Sequence, residues 1–175
     1  MATWKTRGLR GSTLEDLLNY TIQRYEDQGL ALIQKIPTPI TPMKIDKEKR
    51  HITLAYFEKI SSVDYVGVVQ GIPVCFDAKE CNARTFPLAN VHEHQMEFMR
   101  KYEMQHGVAF LILYFTSEES IYYMRFSEIQ RYWQRMLDGG RKSFTFAELD
   151  PTYMFSIRGN HIPFLEFIQM DLDER

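Results

Sequence analysis

The sequence predicts an α/β domain in which a mixed central β-sheet is flanked by helices. A Gln70-Gly71 turn joins two segments of alternating strand character, so residues 63–79 are expected to form an antiparallel hairpin. Residues 88–106 have helical spacing and lie between this hairpin and the apolar strand Val108–Phe115. A helix in that position supplies the crossover that parallel strands need, so the sheet combines both kinds of pairing.

Length and composition indicate one globular domain. The chain has 175 residues, of which 45% are hydrophobic and 25% charged, so residues 1–175 are expected to share one core. No apolar run approaches the roughly 18–20 residues that span a membrane, and the N-terminus has no apolar secretory stretch. Cys75 and Cys81 have neither metal-ligand nor disulfide-framework spacing. We therefore expect reduced thiols, no membrane partner and a cytoplasmic location.

The N-terminal region is predicted to contain a helix, a strand and an extended arm. Ser12 and Glu15 have capping-box spacing, and apolar residues recur at helical intervals until Gly29, which predicts a helix from Thr13 to Gln28. A strand is expected over residues 30–36. Three prolines then fall within residues 37–42, where they forbid a helix and favour a stiff arm. Residues 37–54 are therefore predicted to project from the domain as a stalk.

The region after the hairpin alternates helices and strands and ends in a loop. The predicted elements are a helix over 88–106 with Gly107 as its cap, strands over 108–115 and 121–125, a helix capped by Ser127 and ended by Gly139-Gly140, and one short strand near 164–168.

The candidate catalytic residues lie at the open end of the hairpin. If Gln70 and Gly71 form a two-residue loop, counting outward places Asp64 opposite Asp77, with Cβ atoms about 4.5–5.5 Å apart. Two carboxylates at that separation destabilise a sheet unless a cation lies between them or one of them is protonated. Lys79 lies on the same face as Asp77 because strand side chains alternate with a period of two.

Such a group is typical of a metal-dependent phosphodiesterase. Carboxylate oxygens with retained waters suit Mg²⁺ or Mn²⁺, which activate a bound water and neutralise phosphate charge. Lys79 would orient the water or stabilise the phosphorane. The alternative is that Asp64 and Asp77 are solvated acids and Lys79 a surface lysine, because acid-x-lysine is common by chance. No nucleophile elbow, dinucleotide fingerprint or zinc-finger spacing is present.

Other polar groups have both functional and structural interpretations. His92 and His94 are expected to point to different sides of a helix, which argues against joint metal ligation, whereas His92 and Gln95 share a face. They would approach a scissile phosphate if this helix borders the hairpin. Glu15 is equally explained as a helix cap.

Basic residues are concentrated in three places, although the net charge of −2 argues against a surface that binds nucleic acid everywhere. Local basic patches can still engage phosphates, and the alternative for each is a solvated surface run. The patches are Lys5, Arg7 and Arg10 in residues 1–14, Lys44, Lys47, Lys49 and Arg50 in the arm, and Arg141 and Lys142 after the double glycine.

The chain resembles the RecU-type Holliday junction resolvases. The resemblance depends on motifs that keep their order and rough spacing over most of the sequence: Gly11-Ser-Thr-Leu-Glu15-Asp, Pro37-Thr-Pro-Ile40, Ala55-Tyr-Phe57, Val63-Asp-Tyr65, Phe76-Asp-Ala-Lys-Glu80, Phe86-Pro-Leu88, His92-x-His-Gln95 and Gly139-Gly-Arg-Lys-Ser143.

The resemblance implies a restriction-endonuclease-like fold and a homodimer that cuts opposed strands of four-way junction DNA with Mg²⁺, for which Mn²⁺ can substitute. It implies that Asp64 and Asp77 bind the metal, that Lys79 is the catalytic lysine, and that Glu15 and Gln95 are further site residues. It also makes the basic residues of the arm and of the Arg141-Lys142 pair candidate DNA contacts.

The sequence departs from the usual pattern of that family in three places. Asp77 stands where glutamate is common, Val63 stands where a threonine is usual, and the N-terminal extension is short. A shorter acid alters metal position and thus the preference between Mg²⁺ and Mn²⁺.

Two alternative functions stay open: a related nuclease acting on other branched or duplex DNA, and a non-catalytic junction-binding protein. The recombination proteins that would deliver junctions are unknown.

Overall fold

The computed structural model describes residues 13–57 and 62–175. Within these ranges no helix is long and apolar enough to cross a membrane. Cys75 and Cys81 are buried free thiols. The helices are α1 (Thr13–Asp27), α2 (Glu93–Met104), α3 (Phe126–Leu137) and α4 (Leu165–Asp173). The strands are β1 (Ala31–Lys35), β2 (Ile40–Asp46), β3 (His51–Phe57), β4 (Tyr65–Val69), β5 (Ile72–Cys81), β6 (Thr85–Pro87), β7 (Val108–Phe115), β8 (Ser120–Arg125), β9 (Ser143–Thr145) and β10 (Met154–Phe155).

The central sheet has six strands in the order β1-β4-β5-β7-β8-β10. Strands β5 and β7 run parallel, with α2 connecting them, and the other neighbours are antiparallel. The predicted α/β fold with a mixed sheet is confirmed, and the arrangement is consistent with a restriction-endonuclease-like fold.

A row of aromatic rings holds the middle of the sheet together. Tyr65, Phe76, Phe110 and Tyr123 stack across four neighbouring strands with ring centroids 4.5–4.7 Å apart. Phe164 packs against Phe76, with ring centroids 5.4 Å apart. Because each ring is almost completely buried, this row removes a large apolar area from water and fixes the neighbouring strands relative to one another.

The predicted hairpin is present with the predicted register. Gln70 and Gly71 have positive φ angles of 48° and 87°, the conformation that a two-residue hairpin turn requires. Val69 pairs with Ile72, and the ladder extends to Tyr65 opposite Phe76. One step further along the two strands therefore brings Asp64 opposite Asp77.

The predicted arm contains a second hairpin, formed by β2 and β3. These strands make a two-stranded sheet separate from the central one, and their ladder extends from Ile40–Phe57 to Asp46–His51. Asp46 Oδ1 accepts hydrogen bonds from the backbone N–H groups of Glu48 and Lys49, both 3.0 Å, and so stabilises the turn. We refer to residues 40–57 as the β2–β3 hairpin.

The C-terminal prediction is wrong. Residues 164–168 were expected to form a short strand, but α4 occupies Leu165–Asp173. The apolar run is too short for its periodicity to separate strand from helix. Tertiary contacts decide, because Phe167, Ile168 and Asp171 are buried with helical spacing and Tyr123 Oη donates to Asp171 Oδ2 at 3.1 Å. The expected loop also contains β9, β10 and two 3₁₀ turns.

Two helix starts also differ from the prediction. α2 begins at Glu93 rather than Leu88, because Leu88–Asn90 is a 3₁₀ turn and Val91 is extended, with φ −104° and ψ 125°. Ser127 is not the cap of α3, which begins at Phe126 without a side-chain capping bond.

Candidate active site

The turn between β4 and β5 brings three candidate residues together. The backbone N–H of Asp64 donates to Asp77 Oδ1 at 3.1 Å, and the Asp77 side chain is completely buried. The Lys79 ammonium forms an ion pair with the other oxygen of Asp77, Oδ2. Within the described residues, this Oδ2 has no partner with hydrogen-bond geometry. Asp77 therefore contacts both the neighbouring acid and the lysine.

Asp64 carries the electrostatic cost of this arrangement. Burial, a hydrogen bond with Asp77 and the charge of Asp77 raise the pKa of Asp64 to about 7, although Lys79 and the Ala78 backbone oppose the rise. Lys79 forms its ion pair with Asp77, and its charge only partly offsets the rise in the pKa of Asp64. At neutral pH, a cation bound beside the two carboxylates would therefore stabilise them.

Asp64 and Lys79 line a cleft of about 420 Å³, whereas the Asp77 side chain that contacts them is completely buried and is not part of the cleft surface. Residues 36–39 form one wall, and His92 and Gln95 form another. The Ile36 backbone N–H donates to the Asp64 carbonyl at 2.7 Å and so connects the first wall to that residue. A larger cleft of about 600 Å³ lies between α2 and α3, but its lining includes neither Asp64 nor Lys79.

The second wall is the N-terminal end of α2. Gln95 is 4% exposed, and its Oε1 accepts a hydrogen bond from the His92 backbone N–H at 3.0 Å. Because the oxygen of this amide is occupied by a backbone donor, its NH₂ group is the part left for other partners. Gln95 is thus a hydrogen-bond donor at this wall.

The two histidines do not point to different sides, as the helical spacing had predicted. Their rings stack with centroids 5.3 Å apart and planes 15° from parallel. The prediction fails because His92 precedes the helix in an extended conformation, with φ −89° and ψ 151°. Burial lowers the pKa of His94, and His92 and Lys79 lower it further. His94 Nε2 is buried without a hydrogen-bond partner in the described part of the chain.

Glu15 lies in the first turn of α1 and not among the residues that line the cleft. Its Oε1 is 2.7 Å from Lys35 Nζ. The expected capping partner Ser12 lies outside the described residues. Glu80 Oε1 accepts a hydrogen bond from the Leu14 N–H at 2.8 Å, so an acid of β5 stabilises the start of α1.

Apart from Lys5, Arg7 and Arg10, which lie outside the described residues, the basic candidates occupy two exposed places. Lys44 lies on β2, and Lys47, Lys49 and Arg50 lie at or beside the turn of the β2–β3 hairpin. Arg141 and Lys142 follow α3, where Arg141 Nη1 is 3.6 Å from Glu148 Oε2. The Lys142 carbonyl accepts a hydrogen bond from Leu88 N–H at 3.0 Å, which joins this loop to the segment that leads into α2.

Sequence reasoning missed the cleft wall formed by residues 36–39. The Pro37-Thr38-Pro39 run was interpreted only as the start of the arm, and nothing in its composition shows that it faces Asp64. The available indication was its position directly after a strand, where a rigid segment meets the edge of a sheet.

The carboxylate pair fits a hard divalent cation. Among the described residues there is no group of three or more His, Cys, Asp or Glu side chains suited to a metal. Two adjacent carboxylates, one buried with its Oδ2 ion-paired to Lys79 and the other with a raised pKa, match the preference of Mg²⁺ or Mn²⁺ for few protein ligands and several waters. The site thus lacks the larger number of oxygen ligands that Ca²⁺ sites provide.

Comparison with known proteins places the chain in a family. The model of the family RecU, recombination protein U, matches residues 9–170. The chain belongs to the RecU family. This RecU chain is 44% identical over 148 residues to the Holliday junction resolvase RecU of Listeria welshimeri. The matched region makes up 82% of this chain and 74% of that relative. The Holliday junction resolvase RecU of Levilactobacillus brevis is 41% identical over 146 residues, which make up 81% of this chain and 73% of that relative. The Holliday junction resolvase RecU of Geobacillus sp. strain WCH70 is 36% identical over 167 residues, which make up 93% of this chain and 83% of that relative.

Proposed function

We propose that this RecU chain is a Holliday junction resolvase, a hydrolase that cuts opposed strands of four-way junction DNA during recombination and repair. The observation that carries the proposal is the contact of the buried Asp77 with Asp64 and Lys79, the two residues of this group that line the cleft. The named relatives, which are called Holliday junction resolvases, support the substrate.

The carboxylate pair would provide the metal site. Asp64 and Asp77 would hold Mg²⁺, or Mn²⁺ in its place. When bound, this ion would lower the pKa of a water and neutralise charge on the phosphate. Asp64 releases its proton on metal binding, since a ligating carboxylate must be ionised.

The neighbouring side chains would position the substrate and the attacking water. Lys79 is held beside Asp77 and presents its ammonium to the cleft, where it would donate to a phosphate oxygen or to the water. Gln95 would donate from its NH₂ group, because its oxygen is already bound to the His92 N–H. Both donors are fixed before the substrate arrives, which lowers the reorganisation required during reaction.

Glu15 would act as a positioning residue through Lys35. The Glu15–Lys35 ion pair lies immediately before Ile36, whose N–H bonds to the Asp64 carbonyl. The pair therefore fixes the start of the wall formed by residues 36–39. We propose that Glu15 supports catalysis in this way rather than as a ligand of the metal.

We propose that two basic patches bind the DNA and that the protein acts as a homodimer. The β2–β3 hairpin presents Lys44, Lys47, Lys49 and Arg50, and we propose that residues 37–54 act as a stalk that enters the junction centre. Arg141 and Lys142 would contact phosphates beside α2. Two subunits would place two clefts on one junction and produce paired nicks. We also propose a single nuclease domain that works in the cytoplasm.

The test compares a synthetic mobile four-way junction with a linear duplex of equal length, in Mg²⁺, in Mn²⁺ and with chelator. Strand products are separated on a denaturing gel. We expect symmetric, metal-dependent nicks on the junction, and none for Asp77→Asn. Asp173→Asn, at the exposed end of α4, removes one acid elsewhere and should cut as the wild type does. Equal cutting of the duplex would show a general nuclease, and binding without cutting would show a junction-binding protein.

A further inference from the structure

The backbone of His92 is held firmly at the start of α2. Its N–H donates to Gln95 Oε1 at 3.0 Å, and its carbonyl accepts from the N–H groups of Gln95 and Met96 at 2.9 and 3.1 Å. These three hydrogen bonds fix the Cα position of His92 at the mouth of the cleft. The side chain has only two rotatable bonds left to place its ring.

The His92 ring is further restricted by His94. The two rings stack, with centroids 5.3 Å apart, and His94 has a lowered pKa because of its burial and the nearby positive groups. The lowered pKa favours the neutral form of His94, and its ring is an aromatic face against which the His92 ring packs. His92 itself is exposed and lines the same cleft as Asp64 and Lys79.

The wall formed by residues 36–39 has few backbone hydrogen-bond donors. Pro37 and Pro39 have no backbone N–H, and the N–H of Ile36 is bound to the Asp64 carbonyl. Besides the Thr38 N–H and hydroxyl and the Ser62 hydroxyl, the side-chain donors that line this cleft are on the α2 wall and on Lys79. The start of α2 also carries the positive end of the helix dipole, which favours a phosphate on that side.

We infer that His92 is a catalytic residue of this cleft, donating a ring N–H to a non-bridging oxygen of the scissile phosphate. The inference rests on the proposed nuclease function. It makes the His92 ring a second hydrogen-bond donor to the phosphate, in addition to Lys79. His94 is a positioning residue that holds the His92 ring by stacking. No proton transfer by His92 is required, since it acts as a hydrogen-bond donor.

The first test measures single-turnover cleavage of the four-way junction in Mg²⁺. We expect His92→Ala to lose roughly 10- to 100-fold in rate, the effect of removing one hydrogen bond to a charged group. His92→Gln retains a donor and should recover part of this loss. Junction affinity in chelator should stay within about twofold for both variants, because many other contacts hold the DNA. His106→Asn, in the exposed turn that follows α2, is the matched control and should cut normally; its φ of 63° suits asparagine.

A second readout separates a direct contact from a structural role. Each non-bridging oxygen of the scissile phosphate is replaced in turn by sulfur, which accepts hydrogen bonds poorly. If His92 contacts one oxygen, the rate loss caused by sulfur at that position should be smaller in His92→Ala than in the wild type. An equal loss at both positions in both proteins would overturn the inference. A wild-type rate in His92→Ala would also overturn it.

A binding measurement keeps this inference separate from the proposed function. Thymidine 3′,5′-bisphosphate is titrated into the metal-free protein while the histidine ring resonances are followed by NMR. We expect the His92 resonance to shift and that of His106 to stay in place, whether or not the wild type cuts junctions. A stationary His92 resonance in a protein that binds the nucleotide would refute the contact. If the wild type fails to cut any DNA, the proposed function fails while this result still stands.

Discussion

Replacing Asp64 by asparagine should stabilise the metal-free protein while abolishing cleavage. Asparagine has nearly the same shape but no charge to place beside Asp77. The raised pKa of Asp64 means that its ionised form is disfavoured in the folded protein, chiefly by burial and by the neighbouring carboxylate. An uncharged side chain avoids that cost at every pH.

The magnitude follows from the pKa shift. The pKa of Asp64 is about 7 in the folded protein, against a value near 3.9 in the unfolded chain. A shift of about three units corresponds to ~4 kcal/mol at full weight. Asp64 is partly exposed, so solvent screening reduces the expected gain in unfolding free energy to about 1–2 kcal/mol. For a domain of this size that gain raises the Tm by roughly 2–8 °C.

The pH dependence gives the effect its sign. Because the folded state holds the Asp64 proton more tightly than the unfolded state, the wild type loses stability as the pH rises from about 4 to about 7. Above pH 7 the loss is complete, and below pH 4 it is absent. The advantage of Asp64→Asn should therefore be full at pH 8 and only about a third as large at pH 5.

The assay is urea unfolding with chelator at pH 5 and pH 8, supported by thermal melts. Asp173→Asn serves as the control, since it changes net charge equally at an exposed position. Adding Mg²⁺ should then stabilise the wild type and leave Asp64→Asn almost unchanged, because a ligand stabilises only the protein that binds it. If Asp64→Asn were less stable than the wild type at pH 8 in chelator, the carboxylate pair would not be under electrostatic strain and the site assignment would lose its main physical support.

Other predictions concern catalysis, binding and packing. Lys79→Met should reduce single-turnover cleavage by about 100-fold or more without weakening junction binding; a wild-type rate contradicts its role. Replacing residues 43–54 by Asn-Gly should weaken junction binding in gel shifts but keep the melting transition, and unchanged binding contradicts a stalk that grips DNA. Calorimetry should show metal affinity falling about tenfold per pH unit below about 7, as one proton is displaced, whereas a flat profile contradicts the pKa. Gly67→Ala places its Cβ 2.2 Å from the Leu32 carbonyl oxygen, so urea unfolding should show a loss of about 3 kcal/mol or more.

The elements that sequence reasoning predicted correctly are those fixed by local chemistry. Gln70-Gly71 adopts the turn that its residue types favour, and the period of two then determines which residues lie opposite one another. The apolar strand Val108–Phe115 has the predicted bounds because its residues are buried on both faces of the sheet. The placement of Asp64 beside Asp77 depends on both features.

The elements that it missed are fixed by contacts between distant parts of the chain. α4 is a helix because it packs on Tyr123 and its neighbours, which lie more than 40 residues earlier. The stacking of His92 on His94 depends on where α2 begins, and helix boundaries are poorly encoded by short-range patterns. The contact of Glu80 with the start of α1 joins residues 66 positions apart, and no spacing rule could have shown it.

Under the proposed function, the position of the cleft would link DNA recognition to catalysis. Residues 36–39 form a wall of the cleft and lead directly into β2, which is the first strand of the basic hairpin. One end of this segment is tied to Asp64 through the Ile36 N–H, and the two prolines limit its bending. A movement of the hairpin relative to the sheet would therefore be transmitted to this wall of the cleft. A junction that holds the hairpin in one position would fix the width of the cleft. A linear duplex that does not bind the hairpin would leave this width variable. Under the proposed function, this connection would couple junction geometry to the position of the scissile phosphate, without any need to recognise bases.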